Sequence, residues 1–69
     1  MKIIYTFHAK LMIKERKIEQ IWVEEAIKSS DKTEKEFGKY YARKKLNGKS
    51  IEVVYEKEKY IKIITTYRI

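Results

Sequence analysis

An Asn-Gly pair at positions 47 and 48, between two segments rich in β-branched and aromatic residues, constrains the fold of this 69-residue chain most strongly. A two-residue type I′ turn needs positive φ at both central positions, which Asn and Gly tolerate best. The pair therefore predicts a β-hairpin between segments 40–46 and 51–55. A third strand-like segment, 60–67, follows the charged stretch 56–59. We therefore predict a three-stranded antiparallel meander in the second half of the chain.

The alternation of side chains along this meander predicts which face of the sheet is buried. The tight turn pairs Lys44 with Ile51, and a second loop closing at 57–59 pairs Val53 with Ile63. The predicted apolar face consists of Tyr40, Ala42, Leu46, Ile51, Val53, Tyr55, Ile61, Ile63 and Tyr67. The predicted outer face consists of Tyr41, Arg43, Lys45, Glu52, Val54, Glu56, Lys62, Ile64, Thr66 and Arg68. Lys44 is then the only charged residue on the apolar face.

The first half of the chain predicts one short strand and two helices. Residues 2–6 are β-rich, and Thr6 is a suitable N-cap for a helix over 7–16. A second amphipathic helix is predicted from 18 or 19 to 28, with Trp22 as its anchor in the core rather than as a base-stacking residue. Residues 1–69 are predicted to form a single domain. We predict an α+β fold, ordered β-α-α-β-β-β, with both helices on one face of an antiparallel sheet.

The composition favours an anionic partner. The formal net charge is +7 and the sequence pI is about 9.6, which is typical of proteins that bind nucleic acid. The abundance of Lys and Glu, with few amides, is equally typical of hyperthermophile proteins. Without cysteine, metal-ligand spacing or a phosphate-binding glycine loop, we expect no metal and no cofactor. No signal or membrane-spanning segment is evident, so we expect a cytoplasmic protein without membrane association.

A family resemblance rests on His8-Ala9, Arg16 and Ile18, followed by the closing segments Gly48…Ile51-x-Val53-Val54-Tyr55 and Ile63-Ile64-Thr65-Thr66-Tyr67. These motifs resemble a widespread microbial family of small domains without an assigned function, whose opening is similar to His-Ala-x-x-Arg-Met-x-x-Arg-x-Ile. Met12 stands here where that family has its first arginine. The layout of the family looks like the RelE/ParE toxins and related small metal-independent ribonucleases. This resemblance implies an RNA-directed, toxin-like domain, neutralised by an antitoxin-like partner.

Three residues are candidates for metal-independent RNA cleavage. His8, the only histidine, has the chemistry of a general acid or base, and Arg16 has the chemistry of a phosphate ligand. Lys44 would join them if it points into a cleft. The alternatives are that His8 lines the start of the helix, that Arg16 pairs with a carboxylate, and that Lys44 extends past the edge of the sheet to solvent.

The outer face of the sheet is a second candidate surface. Its cationic groups and one aromatic ring are typical of RNA-binding sheets, and we predict nucleic-acid contacts from Tyr41, Arg43, Lys45, Lys62 and Arg68. Arg43 faces Glu52 in the predicted register, so part of this charge is neutralised. The same face would equally serve as a homodimer or antitoxin surface. A non-catalytic module that binds protein or nucleic acid is therefore the alternative to a ribonuclease.

Overall fold

The computed structural model describes residues 2–69, which form two helices and one five-stranded sheet. The elements in chain order are β1 (Ile3–Tyr5), α1 (Phe7–Glu15), α2 (Gln20–Lys28), β2 (Lys32–Glu36), β3 (Lys39–Leu46), β4 (Lys49–Lys57) and β5 (Ile61–Arg68). The strands lie in the order β1-β5-β4-β3-β2. The predicted class and element order are confirmed, with β2 as an additional strand. The prediction of a purely antiparallel sheet is wrong, because β1 pairs with β5 in parallel.

The predicted hairpin between β3 and β4 is confirmed residue by residue. Leu46 pairs with Lys49 and Lys44 pairs with Ile51, across a turn in which Asn47 and Gly48 have φ values of 52° and 78°. A second turn of this kind, with φ values of 52° and 76°, joins β2 to β3 at Phe37-Gly38. Phe37 is an unusual residue for positive φ, which explains why the sequence did not predict this turn.

The predicted register between β4 and β5 is wrong in two ways. Ile63 lies opposite Tyr55 instead of Val53, a shift of two residues that keeps its face, and a β-bulge then interrupts the pair. Tyr55 pairs with Ile63, but Val53 pairs with Thr66, so β5 gains one residue between the two pairs. One extra residue exchanges the two faces for everything that follows it. Thr66 is therefore fully buried on the helix side, and its hydroxyl donates to the carbonyl of Glu52 at 3.0 Å. Tyr67, predicted for the core, lies on the outer face instead.

Helix α1 begins and ends with well-defined caps. The Thr6 hydroxyl accepts from the Ala9 N–H at 3.0 Å, as predicted. At the other end, Lys17 takes a left-handed conformation, with φ of 52°, and the Ile18 N–H donates to the carbonyl of Ile13 at 3.0 Å. This is a Schellman motif with lysine at the position that usually holds glycine. Without glycine or proline, the sequence left this boundary uncertain.

Both helices pack on the same face of the sheet, α1 mainly against β5 and α2 against β3 and β4. The core they enclose comprises Ala9, Ile18, Val23, Ala26, Ala42, Ile51, Val53, Tyr55, Ile61 and Ile63. Trp22 is half-buried and packs against this core from its periphery, so it is less buried than the core anchor that was predicted. The rings of Tyr40 and Tyr55 stack at 5.1 Å, and burial raises the pKa of Tyr55. No helix among residues 2–69 covers the outer face of the sheet.

Candidate functional site

The C-terminal half of β5 has an open edge, and Arg16 lies against it. Strand β1 pairs only with Ile61, Lys62 and Ile63, because the chain leaves the sheet at Thr6 to begin α1. Arg16, the residue that caps the end of α1, then reaches the uncovered part of β5 and donates from Nη1 to the carbonyl of Thr66 at 2.9 Å. The end of helix α1 is thereby tied to the end of the last strand.

Arg16, Tyr67 and Arg68 line an open cleft of about 440 Å³ at this junction, which we call the Arg16–Arg68 cleft. The Arg16 guanidinium carbon lies 6.0 Å from the centre of the Tyr67 ring, within the range of a cation–π contact. Arg68 lies on the helix side because of the bulge, and its Nη2 donates to the carbonyl of Lys17 at 3.0 Å. The prediction that Arg68 points to the outer face is therefore wrong.

Neither guanidinium in the cleft is neutralised by a carboxylate among residues 2–69. Their hydrogen bonds go to backbone carbonyls, whereas the ion pairs of this part of the chain are Lys32–Glu34, Arg43–Glu52 and Lys44–Asp31. An arginine carries five N–H donors, so each side chain keeps donors for a further acceptor. Two positive charges with unused donors, beside an aromatic ring, form a site with the chemistry to hold an anion.

A second hollow continues the cleft toward the turn between β3 and β4. It has a volume of about 410 Å³ and is lined by Gly48, Lys49, Ser50, Arg68 and Ile69. Arg68 lines both hollows, and Lys49 adds an exposed ammonium group to the second. The two hollows together form a cationic groove along one end of the molecule.

Tyr67 connects this cleft to a buried carboxylate on the outer face. Its hydroxyl donates to Glu52 Oε2, and Arg43 Nε donates to Glu52 Oε1 at 2.9 Å. The Glu52 residue is only 6% exposed, although no helix of residues 2–69 lies over it. Glu52, Tyr67, Arg43 and Tyr41, with Glu34 and Glu36, line a shallow hollow on this face. The sequence indicated Glu52 only as the partner of Arg43; its bond to Tyr67 depends on the bulge and had no sequence signal.

The three residues predicted for catalysis occupy different parts of the helix side. His8 is exposed at the start of α1, and Arg16 follows the end of that helix. Eight residues at 1.5 Å per residue separate their backbones by about 12 Å. Lys44 lies on β3, and its side chain, 18% exposed, is 3.6 Å from Asp31 Oδ1. Arg16 contacts Tyr67, and Lys44 contacts Asp31. Within residues 2–69, no hydrogen bond or ion pair connects His8 with Arg16 or with Lys44.

The remaining predicted nucleic-acid residues are spread over the sheet. Tyr41 is half-buried and Arg43 is held by Glu52, both on the outer face. Lys62 is exposed opposite Glu56. Lys45 is exposed, and its backbone N–H donates to Asp31 Oδ2 at 2.8 Å. Of this group, only Arg68 joins the Arg16–Arg68 cleft, so their common role in RNA binding stays a prediction.

Asp31 holds Lys44 in place from the loop between α2 and β2. The Lys45 N–H is the main cause that lowers the pKa of Asp31, and the charge of Lys44 lowers it further. This ion pair explains how a lysine is accommodated on the helix side of the sheet. The sequence offered no signal for Asp31, because β2 was not predicted and the position of the loop depends on it.

Residues 2–69 contain no group of three or more His, Asp or Glu side chains arranged to hold a metal ion. The two helices of this part of the chain, at nine residues each, are too short to span a membrane.

The fold and site define a small α+β domain with a mixed sheet. Where a helix and the last strand end, a cleft is lined by two arginines that no carboxylate of residues 2–69 neutralises. The chain belongs to the family DUF4258, described as a domain of unknown function, whose family model matches residues 5–68. The predicted membership of an uncharacterised small-domain family is confirmed. No curated protein and no solved structure matches the chain.

Proposed function

We propose that this protein binds single-stranded RNA through the Arg16–Arg68 cleft. The observation that supports this proposal is that both arginines keep donors and lack carboxylate partners among residues 2–69, and that they line one cleft with the half-buried Tyr67 ring. Guanidinium groups bind phosphates, and nucleobases stack on aromatic rings with little dependence on sequence. The net charge of +7 adds long-range attraction for a polyanion.

Single strands fit this site better than duplexes do. A ring at the rim of a cleft can stack only on a base that is already unpaired, whereas a duplex keeps its bases stacked on one another. The groove formed with the Lys49 hollow extends the cationic surface beyond one phosphate. The RNA backbone would run from Arg16 past Arg68 toward Lys49.

Fluorescence anisotropy with a labelled uridine oligomer and a matched RNA duplex tests this function. We expect the single strand to bind more tightly, and we expect Arg16→Gln to weaken binding by about tenfold or more, equivalent to about 1.5 kcal/mol or more for a lost hydrogen bond to a charged group. Lys35→Gln, on the far edge of the sheet, removes the same charge without touching the cleft. Equal decreases in affinity in both variants would show that the cleft is not the site.

A more specific proposal than RNA binding is RNA cleavage without a metal, which the resemblance to RelE/ParE toxins suggests. In this proposal Arg16 holds the phosphate, while His8 and Lys44 supply proton transfer and positive charge. The exposure of His8 supports it, because the imidazole is accessible to substrate. Incubation with total RNA in EDTA should give cleavage that is abolished in His8→Ala and Lys44→Ala but kept in Lys32→Ala. If the protein binds the RNA but leaves it intact, the ribonuclease proposal is wrong and the protein is a non-catalytic binding module.

Docking of a protein on the outer face is the second candidate function. The observation that favours it is that no helix of residues 2–69 covers this face, where Tyr41 and Val54 lie side by side. Val54 is already buried, so an antitoxin-like partner or a second copy of the chain would cover mainly the half-buried Tyr41. Analytical ultracentrifugation with Tyr41→Lys tests self-association: a dimer that dissociates in this variant supports the surface, and a monomeric wild type removes the homodimer.

A further inference from the structure

Tyr67 belongs to two environments at once. One side of its ring faces the Arg16 guanidinium at 6.0 Å, in the cleft, while its hydroxyl donates to Glu52 on the outer face of the sheet. A tyrosine side chain has two rotatable bonds, and an unrestrained ring on a strand changes its χ1 rotamer freely. The bond to Glu52 fixes the far end of the ring and therefore both rotations.

Glu52 is itself held firmly. Its side chain is 8% exposed, and each carboxylate oxygen has a partner: Arg43 Nε at 2.9 Å for Oε1 and the Tyr67 hydroxyl for Oε2. Its backbone carbonyl also accepts from the Thr66 hydroxyl. Burying a carboxylate is costly unless its acceptors are satisfied, so removing either partner leaves a poorly solvated charge. The Arg43–Glu52–Tyr67 network therefore satisfies both oxygens of this buried carboxylate, which favours the arrangement seen.

We infer that Glu52 is a positioning residue of the RNA site, which holds the Tyr67 ring as the surface on which a nucleobase stacks beside the phosphate bound by Arg16. This inference rests on the proposed RNA binding and adds what the cleft recognises. The ligand is a strand that carries bases, not a phosphate chain alone. Glu52 contacts no RNA; it acts through Tyr67.

The experiment compares a uridine oligomer with a strand of equal length whose bases have been removed. Wild-type protein should bind the uridine oligomer at least about fivefold more tightly, since one base stacked on an aromatic ring has an effect of this order or larger. Tyr67→Leu should abolish this preference. Glu52→Ala and Tyr67→Phe break the same hydrogen bond from its two ends, so each should reduce the preference to less than half.

Two further measurements separate positioning from damage to the fold. Affinity for the base-free strand should stay within about twofold of wild type in Tyr67→Phe, because the phosphate contacts remain. The double variant Glu52→Ala/Tyr67→Phe should show no greater reduction in preference than either single variant, since both changes break one hydrogen bond. Glu56→Ala is the control, because Glu56 lies on the same strand and face, opposite Lys62.

Nuclear magnetic resonance tests the positioning without RNA. The ring current of an ordered Tyr67 should shift the side-chain protons of Arg16, and this shift should shrink in Glu52→Ala and in Tyr67→Phe. If the ring-current shift and the preference for the uridine oligomer both remain in these variants, Glu52 does not position Tyr67. The proposed RNA binding would be unaffected by that result. A wild type that binds neither strand would overturn the proposed function and this inference together.

Discussion

At the scale of single residues, Asp31 shows how one loop carboxylate makes a difficult position acceptable. Lys44 lies on the side of the sheet that packs against the helices, where an unpaired ammonium group is unfavourable. Asp31 accepts the Lys45 N–H through one oxygen and lies 3.6 Å from Lys44 Nζ through the other. The same carboxylate thus connects the loop after α2 to β3.

This arrangement gives stability a defined dependence on pH. The Lys45 N–H, followed by the charge of Lys44, lowers the pKa of Asp31 below its ordinary value. A lowered pKa in the folded state stabilises the fold above the unfolded-state value, and this contribution disappears as the pH falls through the folded-state value. We therefore expect Asp31→Asn to lower Tm at neutral pH and to approach wild type progressively below about pH 4.

Thermal unfolding followed by circular dichroism between about pH 2 and 7 measures this difference across the titration range of a carboxylate. Glu58→Gln, which neutralises an exposed carboxylate in the loop between β4 and β5, is the control and should leave Tm nearly unchanged at neutral pH. If the Tm of Asp31→Asn lies below that of wild type by the same amount over the whole pH range, ionisation of Asp31 does not contribute to the difference.

At the scale of elements, the β-bulge in β5 determines which side chains form the site. Before the bulge Ile63 faces the helices; after it Thr66 and Arg68 do so, and Tyr67 faces outward. The regular alternation predicted from the sequence would have put Tyr67 in the core and Arg68 outside. Without the bulge, Tyr67 could not reach Glu52 and Arg68 could not line the cleft with Arg16.

A matched pair of threonine variants tests the bulge. Thr66 is fully buried and its hydroxyl donates to Glu52, so Thr66→Val should lower the free energy of unfolding by about 1 kcal/mol. Thr65 lies on the outer face opposite Val54, where valine suits a strand, so Thr65→Val should be neutral or slightly stabilising. Urea titration measures the free energy of unfolding of both variants. Destabilisation by Thr65→Val with little effect of Thr66→Val would support the uninterrupted register instead.

The end of helix α1 provides a second element-scale prediction. Lys17 has φ of 52°, a conformation in which glycine has no steric cost. We expect Lys17→Gly to raise the free energy of unfolding by about 0.5–1 kcal/mol, while Lys14→Gly, inside the helix, should lower it by a similar amount. Chemical denaturation checks the pair. Destabilisation in both variants would contradict the Schellman motif.

The sequence predicted the elements that have strong local signals. Asn47-Gly48 set the β3–β4 register, Thr6 set the start of α1, and the apolar alternation of β4 identified its buried face. It did not predict β2, whose five residues are all exposed and charged or polar, so no alternation marks it. The sequence did not predict the bulge either, because Ile64, Thr65 and Thr66 are compatible with either face of a sheet.

The site was predictable only in part for the same reason. Arg16 came from the family resemblance and Arg68 from the predicted outer face of the sheet, but their meeting in one cleft depends on the bulge and on the open edge of β5. The sequence predicted Glu52 only as the cross-strand neighbour of Arg43. Long-range geometry, which no short pattern encodes, creates the contact of Tyr67 with both Arg16 and Glu52.

At the scale of the whole molecule, the charge has two explanations with different consequences. Lysines lie in both helices and in β2 to β5, which is typical of heat-stable proteins, and in that case neutralising any one of them should have a similar, small effect. A nucleic-acid site instead makes the arginines of one cleft more important than lysines elsewhere. The unneutralised pair Arg16 and Arg68 favours the second explanation, a phosphate site in the Arg16–Arg68 cleft.

The salt dependence of RNA binding tests this explanation most directly. Each phosphate that a cation neutralises on a single strand contributes about 0.7 to the slope of log affinity against log salt concentration. For a uridine oligomer, the slope should therefore become shallower by about 1.4 in Arg16→Gln/Arg68→Gln. Lys32→Gln/Lys35→Gln, which removes the same charge from β2, should keep the wild-type slope. Identical slopes in wild type and both double variants would contradict a phosphate site in the Arg16–Arg68 cleft.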